Sequence, residues 1–164
     1  VRHLVDLGHC RVAHVSGDER MLHGRRRRER FERAVRAAGL EPVILTTDFS
    51  PEQGAATTKA LLDAPEPPTA IVYGNDPMAI AGMGVAHERG LRLPRDLSIT
   101  GLDGSLIGTY VYPPLTTLDN DPAGFGLAAA TALLRLVEHG EPGDVALPPA
   151  RLVVRASTAA PGER

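Results

Sequence analysis

Two polar residues closely follow short apolar runs, in positions where side chains can bind a ligand. Ala70–Tyr73 is apolar and rich in β-branched residues, which is typical of a buried strand, and Asn75 follows it after one glycine. Leu97–Leu102 is a similar run, and Asp103 follows it directly. Because parallel strands end at one edge of a sheet, we expect both side chains at that edge. An amide and a carboxylate there could hold ligand hydroxyl groups, although Asp103 could equally serve as a turn former.

A helix is predicted to follow the first of these strands. Asp76 offers an N-cap oxygen, Pro77 suits the first helical position, and Gly90 is a typical C-terminal stop. We therefore predict a structural capping role for Asp76 and keep Asn75 and Asp103 as the candidates for ligand contact.

Arg25–Arg28 is the only dense run of charge, and it lies in a predicted helix that extends from Arg20 to Ala38. Most of these arginines are expected on a solvent-exposed face. Glu29 and Glu32 interrupt the basic patch, which argues against direct contact of this helix with DNA. If one arginine points over the edge of the sheet, its planar guanidinium could hold two adjacent hydroxyls or a carboxylate.

Other motifs for chemistry are weak or missing. Gly124–Ala129 matches G-x-G-x-x-A, but polar residues and Pro122 separate it from the preceding strand, whereas a dinucleotide loop connects strand and helix directly. The six histidines have no metal-ligand spacing, and His14 lies inside a strand as a predicted core or surface histidine. No serine lies in a G-x-S-x-G elbow. The sequence predicts no metal, no cofactor and no enzyme.

The elements that must position these residues alternate along the chain. Ser50 is predicted to cap a helix that begins at Pro51, with Gln53 completing a capping box. Alternating strands and helices with short connections favour an α/β fold of three layers, with a mostly parallel sheet between helices. Predicted strands cover 11–17, 42–47, 70–73, 97–102 and 115–118, an extended segment covers 145–154, predicted helices cover 20–38, 51–64, 77–89 and 124–139, and 159–164 is predicted to be disordered.

Composition narrows the class of protein. The chain has 164 residues, 43% of them apolar, which suits one domain with a core. A net charge of −2 and the absence of tryptophan argue against a nucleic-acid-binding surface, and no apolar run is long enough to cross a membrane. Val1–Leu7 resembles the end of a helix without its cap, so we expect the chain to be a fragment.

Short stretches along nearly the whole chain form a distinctive combination, among them HLVDLGH at 3–9, DFSP at 48–51, NDxMA at 75–79, GLRLP at 90–94, GLD at 101–103 and PPLTT at 113–117. In this order they resemble the lac/gal repressor family of bacterial transcription regulators. Members of that family carry an N-terminal helix-turn-helix, a hinge helix and a two-lobed effector-binding core like the type I periplasmic binding proteins. The resemblance implies that residues 1–158 form mainly the C-terminal lobe of the core, that 115–140 cross to the first lobe, and that the DNA-binding domain and most of the first lobe are absent here.

The resemblance also implies which residues contact the effector, which would be a sugar or a nucleoside. Three positions depart from the family pattern and indicate an unusual ligand: Arg30 replaces a small glycine, Gly104 replaces an acidic residue, and Pro122 stands where some members have an aromatic residue. The residues implied for this contact are Arg27 as the clamping arginine, Phe49 as the aromatic cover, Asn75 and Asp103 as the polar pair, His23 near the arginine, and Asn120 with Pro122 on the crossover.

The helical stretch Met78–Ala86 is apolar on nearly every side, so one face is expected on the sheet and the other against a second copy of the chain, with burial by the chain's own tail as the alternative. The crossing helix should also lack its usual sheet in this chain, so its apolar residues are expected to find cover on another chain or on a rearranged tail. The resemblance assigns Met78, Ile80, Met83, Val111 and Tyr112 to the dimer face, and the crossing-helix residues are Leu127, Leu133, Leu134 and Val137.

The sequence therefore predicts the effector-sensing, dimerising part of a bacterial transcription regulator, a repressor acting in the cytoplasm. It would contact DNA only through a domain outside this chain, and it would not contact membranes. Two alternatives stay open. One is a periplasmic solute-binding protein of the same fold, and the other is a Rossmann-like enzyme, which loss of turnover in Asp103→Asn would favour.

Overall fold

The computed structural model describes residues 1–141, 143 and 147–162, and its strands and helices alternate as the sequence predicts. The strands are β1 (Val12–Ser16), β2 (Val43–Thr46), β3 (Ala70–Tyr73), β4 (Ser98–Thr100), β5 (Thr117–Asp119) and β6 (Arg151–Val153). The helices are α1 (Arg2–Asp6), α2 (Leu22–Ala37), α3 (Pro51–Leu62), α4 (Asp76–Glu88) and α5 (Pro122–His139), and a 3₁₀ turn covers Leu106–Thr109.

The main sheet has four parallel strands in the order β2-β1-β3-β4. All five residues of the central strand β1 are buried, because helices cover both faces of the sheet. Ala13 and Val15 face a core that α3 and α4 close, whereas Val12 packs on the other face with Phe31 and Val35 of α2. The predicted α/β fold with a mostly parallel sheet between helical layers is confirmed.

A smaller unit follows the main sheet. Strands β5 and β6 form an antiparallel pair, and α5 lies between them along the chain. Isolated bridges join Thr100 to Thr116 and Asp103 to Asp119, so the chain before β5 runs beside the end of β4. Within α5, whose residues are all described, none is buried. Its apolar residues Leu127, Leu133, Leu134 and Val137 are all exposed.

Two of the residues predicted for a dimer face belong mainly to the core. Met78 has no exposed surface, and its sulfur lies 3.1 Å from Thr47 Oγ1, which donates to the Ser16 carbonyl at 2.7 Å. Met83 is 5% exposed and packs in the same core. Helix α4 is apolar on nearly every side, so its sequence did not indicate which side faces the sheet. Ile80 and Val111 are half-buried at the margin of this core, and Tyr112 is 94% exposed.

The cap of α3 differs from the predicted capping box. Ser50 Oγ accepts from the Gln53 backbone N–H at 3.2 Å, as expected. The reciprocal bond is replaced, because the Ser50 N–H donates to Asp48 Oδ1 at 2.9 Å. An Asx turn therefore occupies the donor that a capping glutamine would have used.

Part of the predicted disordered tail lies against the main sheet. The Ala159 carbonyl accepts a hydrogen bond from His9 Nε2 at 2.9 Å, and the Gly162 N–H donates to the Arg95 carbonyl at 3.2 Å. Hydrogen bonds to His9 and Arg95 thus hold Ala159 and Gly162, although the sequence predicts disorder there. Residues 163 and 164 of the predicted tail, and 145 and 146 of the predicted extended segment, lie outside the described residues.

Candidate functional site

The candidate site lies at the carboxyl edge of the main sheet, where Arg27, Phe49, Asn75 and Asp103 come together. Arg27 comes from the second turn of α2, and the other three come from the segments that follow β2, β3 and β4. These residues are far apart along the chain but the parallel order of the strands brings their ends to one place. The expectation that Asn75 and Asp103 share an edge with one arginine is therefore met in the geometry.

Arg27 is held in place by the end of β3 and by the loop after β4. Its Nη1 donates to the Gly74 carbonyl at 2.7 Å, and its Nη2 lies 3.7 Å from Asp103 Oδ1. The guanidinium also lies 5.9 Å from the centre of the Phe49 ring. One nitrogen of the guanidinium is thus fixed by protein, while its contact with Asp103 is longer than a hydrogen bond, so both charged groups can still bond to a ligand hydroxyl.

Phe49 adopts an unusual backbone conformation, with φ of +71°. Two side chains hold it there: Thr47 Oγ1 accepts from the Phe49 N–H at 3.2 Å, and Asn75 Nδ2 donates to the Phe49 carbonyl at 3.0 Å. The ring lies over Gly17, where a Cβ would come within 1.9 Å of the ring carbon Cζ. The His23 ring stacks on it at 5.2 Å between centroids. The result is a fixed aromatic surface beside Arg27.

Neither Asn75 nor Asp76 has the role that the sequence suggested for it. Asn75 is the N-cap of α4: its Oδ1 accepts from the Met78 N–H at 2.9 Å while its Nδ2 holds Phe49. Asp76 is the first residue of the helix and is fully buried. The prediction that Asp76 caps the helix is wrong, because Pro77 occupies the second helical position instead of the first. Two adjacent residues that are both good caps cannot be told apart by local pattern.

Asp103 is half-buried and has a φ of +128°. Burial raises the pKa of its carboxyl above the ordinary value; the nearby Arg27 opposes that rise, and the Asp76 charge adds to it. Its backbone N–H donates to the Leu118 carbonyl at 2.9 Å. The carboxylate is thus a fixed acceptor, partly shielded from water and facing an arginine.

The two crossover residues, Asn120 and Pro122, lie in different surroundings. Asn120 lines a cavity of about 400 Å³ together with Arg27 and His14, next to the edge site. Pro122 is exposed at the start of α5 and is not among the residues that line this cavity. The structure places Asn120 in the cavity that shares Arg27 with the candidate site, whereas it places Pro122 outside both.

His14 is a residue of this cavity that the sequence analysis assigned to the core or surface. It is 3% exposed, its Nδ1 lies 2.7 Å from the Val72 carbonyl, and its ring stacks on Phe31. Burial lowers its pKa to about 4. Its Nε2, like Ser16 Oγ on the same strand, has no hydrogen-bond partner within the described part of the chain. The sequence signal for this cavity was the pair His14 and Ser16, two polar residues at alternate positions of an otherwise apolar strand. Arg30, one of the three departures, lines the same cavity.

Among residues 1–141, 143 and 147–162, no group of three or more histidine, cysteine or acidic side chains is placed to hold a metal ion. A search of the same residues finds no helix with the length and apolarity to span a bilayer.

Comparison with known proteins places this architecture. The family described as periplasmic binding protein-like domain matches residues 1–158. The repressor PurR of Haemophilus influenzae (strain PittEE) is 34% identical over 145 residues, which are 87% of this chain and 43% of PurR. The repressor CytR of Escherichia coli (strain K12) is 34% identical over 98% of this chain and 48% of its own length. The chain spans about half the length of these curated relatives.

Solved structures agree with this match. A LacI family transcriptional regulator from Bifidobacterium animalis subsp. lactis is 41% identical, with a TM-score of 0.90, and the match covers 99% of this chain and 59% of that one. A dimeric Lac repressor with an 11-residue C-terminal deletion is 32% identical, with a TM-score of 0.90 over 98% of this chain and 60% of its own.

Proposed function

The chain belongs to the family of periplasmic binding protein-like domains, in the form that LacI-family transcription regulators carry, and we propose that it senses a small-molecule effector in such a regulator. The observation that carries this proposal is the meeting of Arg27, Phe49 and Asp103 at one edge of the sheet. The regulator would act as a repressor in the cytoplasm. Its contact with DNA would lie in a domain outside this sequence.

The chemistry of the edge site fits a sugar or a nucleoside. Asp103 can accept hydrogen bonds from ligand hydroxyls, and Arg27 can donate to the same or adjacent hydroxyls. The Phe49 ring, with His23 stacked on it, offers a flat apolar surface for the C–H face of a sugar ring or for a base. Asn75 would contribute by fixing Phe49, since both ends of its amide already bond to protein.

An effector bound at this edge can control a regulator only through a difference in affinity between two arrangements of the protein. β5, β6 and α5 leave the main sheet beside Asp103, and α5 presents an unburied apolar face. We propose that this unit carries the movement of a second lobe, so that ligand contacts at Arg27 and Asp103 change how the lobes close.

The regulator would also act as a homodimer. Leu106, Ile107, Tyr110 and Tyr112 are large apolar residues that stand exposed together in one short segment. Tyr112 and Met83 line a surface cavity of about 300 Å³ between this segment and α4. Ile80 and Val111 at the margin of the core could join such an interface, whereas Met78 cannot.

A periplasmic solute-binding protein would share this fold. The relatives PurR and CytR are both named transcriptional repressors, which supports the regulator over the solute carrier. No relative reported above is named as an enzyme.

The test is a calorimetric screen of sugars and nucleosides against the full-length protein and its Arg27→Ala variant. We expect a ligand whose affinity falls at least about tenfold on this substitution, because a hydrogen bond to a charged group is lost. Arg33→Ala, which removes an exposed arginine further along the same helix, is the matched control and should leave affinity unchanged. If no ligand in the screen loses affinity in Arg27→Ala, the site is assigned wrongly.

A further inference from the structure

Asp76 is a buried carboxylate that the proposed function leaves without a role. It has no exposed surface. Its Oδ2 accepts from the Ser105 N–H and from the Ser105 hydroxyl, both at 2.7 Å, and its Oδ1 accepts from the Thr117 hydroxyl at 2.6 Å. The three donors are uncharged, so hydrogen bonds and the amino end of α4 offset the burial of this charge. Because burying a carboxylate costs free energy, we ask which segments its hydrogen bonds hold together.

The two partners of Asp76, Ser105 and Thr117, connect it to the loop that carries Asp103. Ser105 lies two positions after it, and the Gly104 N–H between them donates to Thr117 Oγ1 at 3.3 Å. Asp76 therefore ties the loop after β4 to the start of β5. At Gly101, where β4 ends, an added Cβ would lie 2.1 Å from Asp76 Oδ1, so the chain passes directly against the carboxylate.

The loop needs such a tie because its central residue is strained. Asp103 has a φ of +128°, which side-chain-bearing residues seldom adopt. Conformations of this kind persist only where neighbouring contacts fix them. The position of the Asp103 carboxylate, 3.7 Å from the guanidinium of Arg27, therefore depends on what holds Gly104 and Ser105.

We propose that Asp76 is a positioning residue for the edge site: it fastens Gly104, Ser105 and Thr117 so that the Asp103 carboxylate stays opposite Arg27. The consequence for effector binding rests on the proposed function. The positioning itself does not, since it can be measured without a ligand.

An asparagine at position 76 cannot reproduce this arrangement. If its single carbonyl oxygen accepts from Ser105, its NH₂ group faces Thr117 Oγ1, which already accepts from Gly104. The Thr117 hydroxyl proton then has lost its acceptor in a buried place. Asp76→Asn should loosen the loop although it keeps the size of the side chain.

The experiment is peptide-level hydrogen exchange on the full-length protein with Asp76→Asn, Thr117→Val and Thr117→Ser. Asp76→Asn and Thr117→Val should speed exchange in the segment 101–110 by about tenfold or more, because a charge-assisted hydrogen bond is lost there. Thr117→Ser keeps the hydroxyl and should restore exchange to within about twofold of the natural protein. The control is Thr58→Val, the same change at a buried threonine whose hydroxyl bonds to Gly54 and Tyr73; it should not affect 101–110.

Unchanged exchange in 101–110, a uniform rise across all peptides, or failure of Thr117→Ser to restore protection would each overturn the proposal. Where the calorimetric screen finds a ligand, Thr117→Val should weaken its binding and Thr117→Ser should not. If the screen finds none, the effector function fails while the exchange result still decides the role of Asp76.

Discussion

At the edge site, a polar side chain can either contact a ligand or hydrogen-bond to the backbone that shapes the site. Asn75 looks like a ligand residue in sequence, yet its amide caps α4 and holds Phe49. Asp76 looks like a cap, yet it bonds to Ser105 and Thr117. Adjacent asparagine and aspartate carry similar local signals, and the partners that separate their roles lie 26 to 41 residues away in the chain.

A histidine buried in β1 should make the stability of the protein depend on pH. Burial lowers the pKa of His14 to about 4, against 6.5 when the chain is unfolded. The unfolded state therefore binds a proton that the folded state refuses, and stability should fall as pH falls from about 6.5 towards 4. Between pH 7 and pH 5 this amounts to about 2 kcal/mol.

Urea unfolding of the natural protein and of His14→Leu at pH 7 and pH 5 measures this effect. His14→Leu should lose about that much of the pH dependence, while the exposed His87→Gln should keep it. His3 and His9, whose pKa values burial also lowers, would supply the dependence that remains. An equal loss of stability on acidification in His14→Leu and in the natural protein would show that His14 is not the cause.

The helix ends of this fold are built from local sequence with help from distant partners. The cap at Ser50 follows from its own sequence, since Ser50 accepts from Gln53 and Pro51 begins the helix. The cap of α4 has two functions. Asn75 caps the helix, and it also donates to the backbone carbonyl of Phe49 in the segment before α3. Helix α4 thus begins where the aromatic surface of the site is fixed.

This double role gives a separable prediction for Asn75. Asn75→Ala should destabilise the protein by about 1 kcal/mol through loss of the cap. Both variants lose the donor to the Phe49 carbonyl, but Asn75→Asp keeps an oxygen for the Met78 N–H, so it should cost less stability than Asn75→Ala. Urea unfolding of the two variants measures the cap. Equal destabilisation by alanine and aspartate would contradict the assignment of Asn75 as the N-cap.

Considered as a whole, the described chain leaves two apolar surfaces uncovered. One is the segment from Leu106 to Tyr112, and the other is the face of α5. The sequence left another chain and a rearranged tail as alternative covers for α5, but within the described residues nothing buries that helix. Its apolar side chains therefore remain as an expected contact for other chains.

The 164-residue chain by itself should associate in solution, and two surfaces can be told apart. Sedimentation velocity should show a dimer or larger species. Leu134→Ser with Val137→Ser should lower the mass if α5 forms the contact, and Tyr112→Asp should lower it if the segment beside α4 does. A monomer at all concentrations would contradict the need for cover at both surfaces.

The periodicity of apolar residues and the turn residues were enough to predict the alternating elements, the parallel α/β sheet and the edge at which Asn75 and Asp103 lie. The elements follow from local periodicity, which a linear pattern records, and their alternation favours a parallel sheet whose strands end at one edge. Other features depended on the folded chain. They are the roles of Asn75 and Asp76, the burial of Met78, the hydrogen bonds of residues 159–162, and the lack of partners for His14 Nε2 and Ser16 Oγ within the described residues. Each is decided by contacts between segments far apart in sequence, and a helix that is apolar on every side, or two adjacent capping residues, carries no local sign of which contact will form.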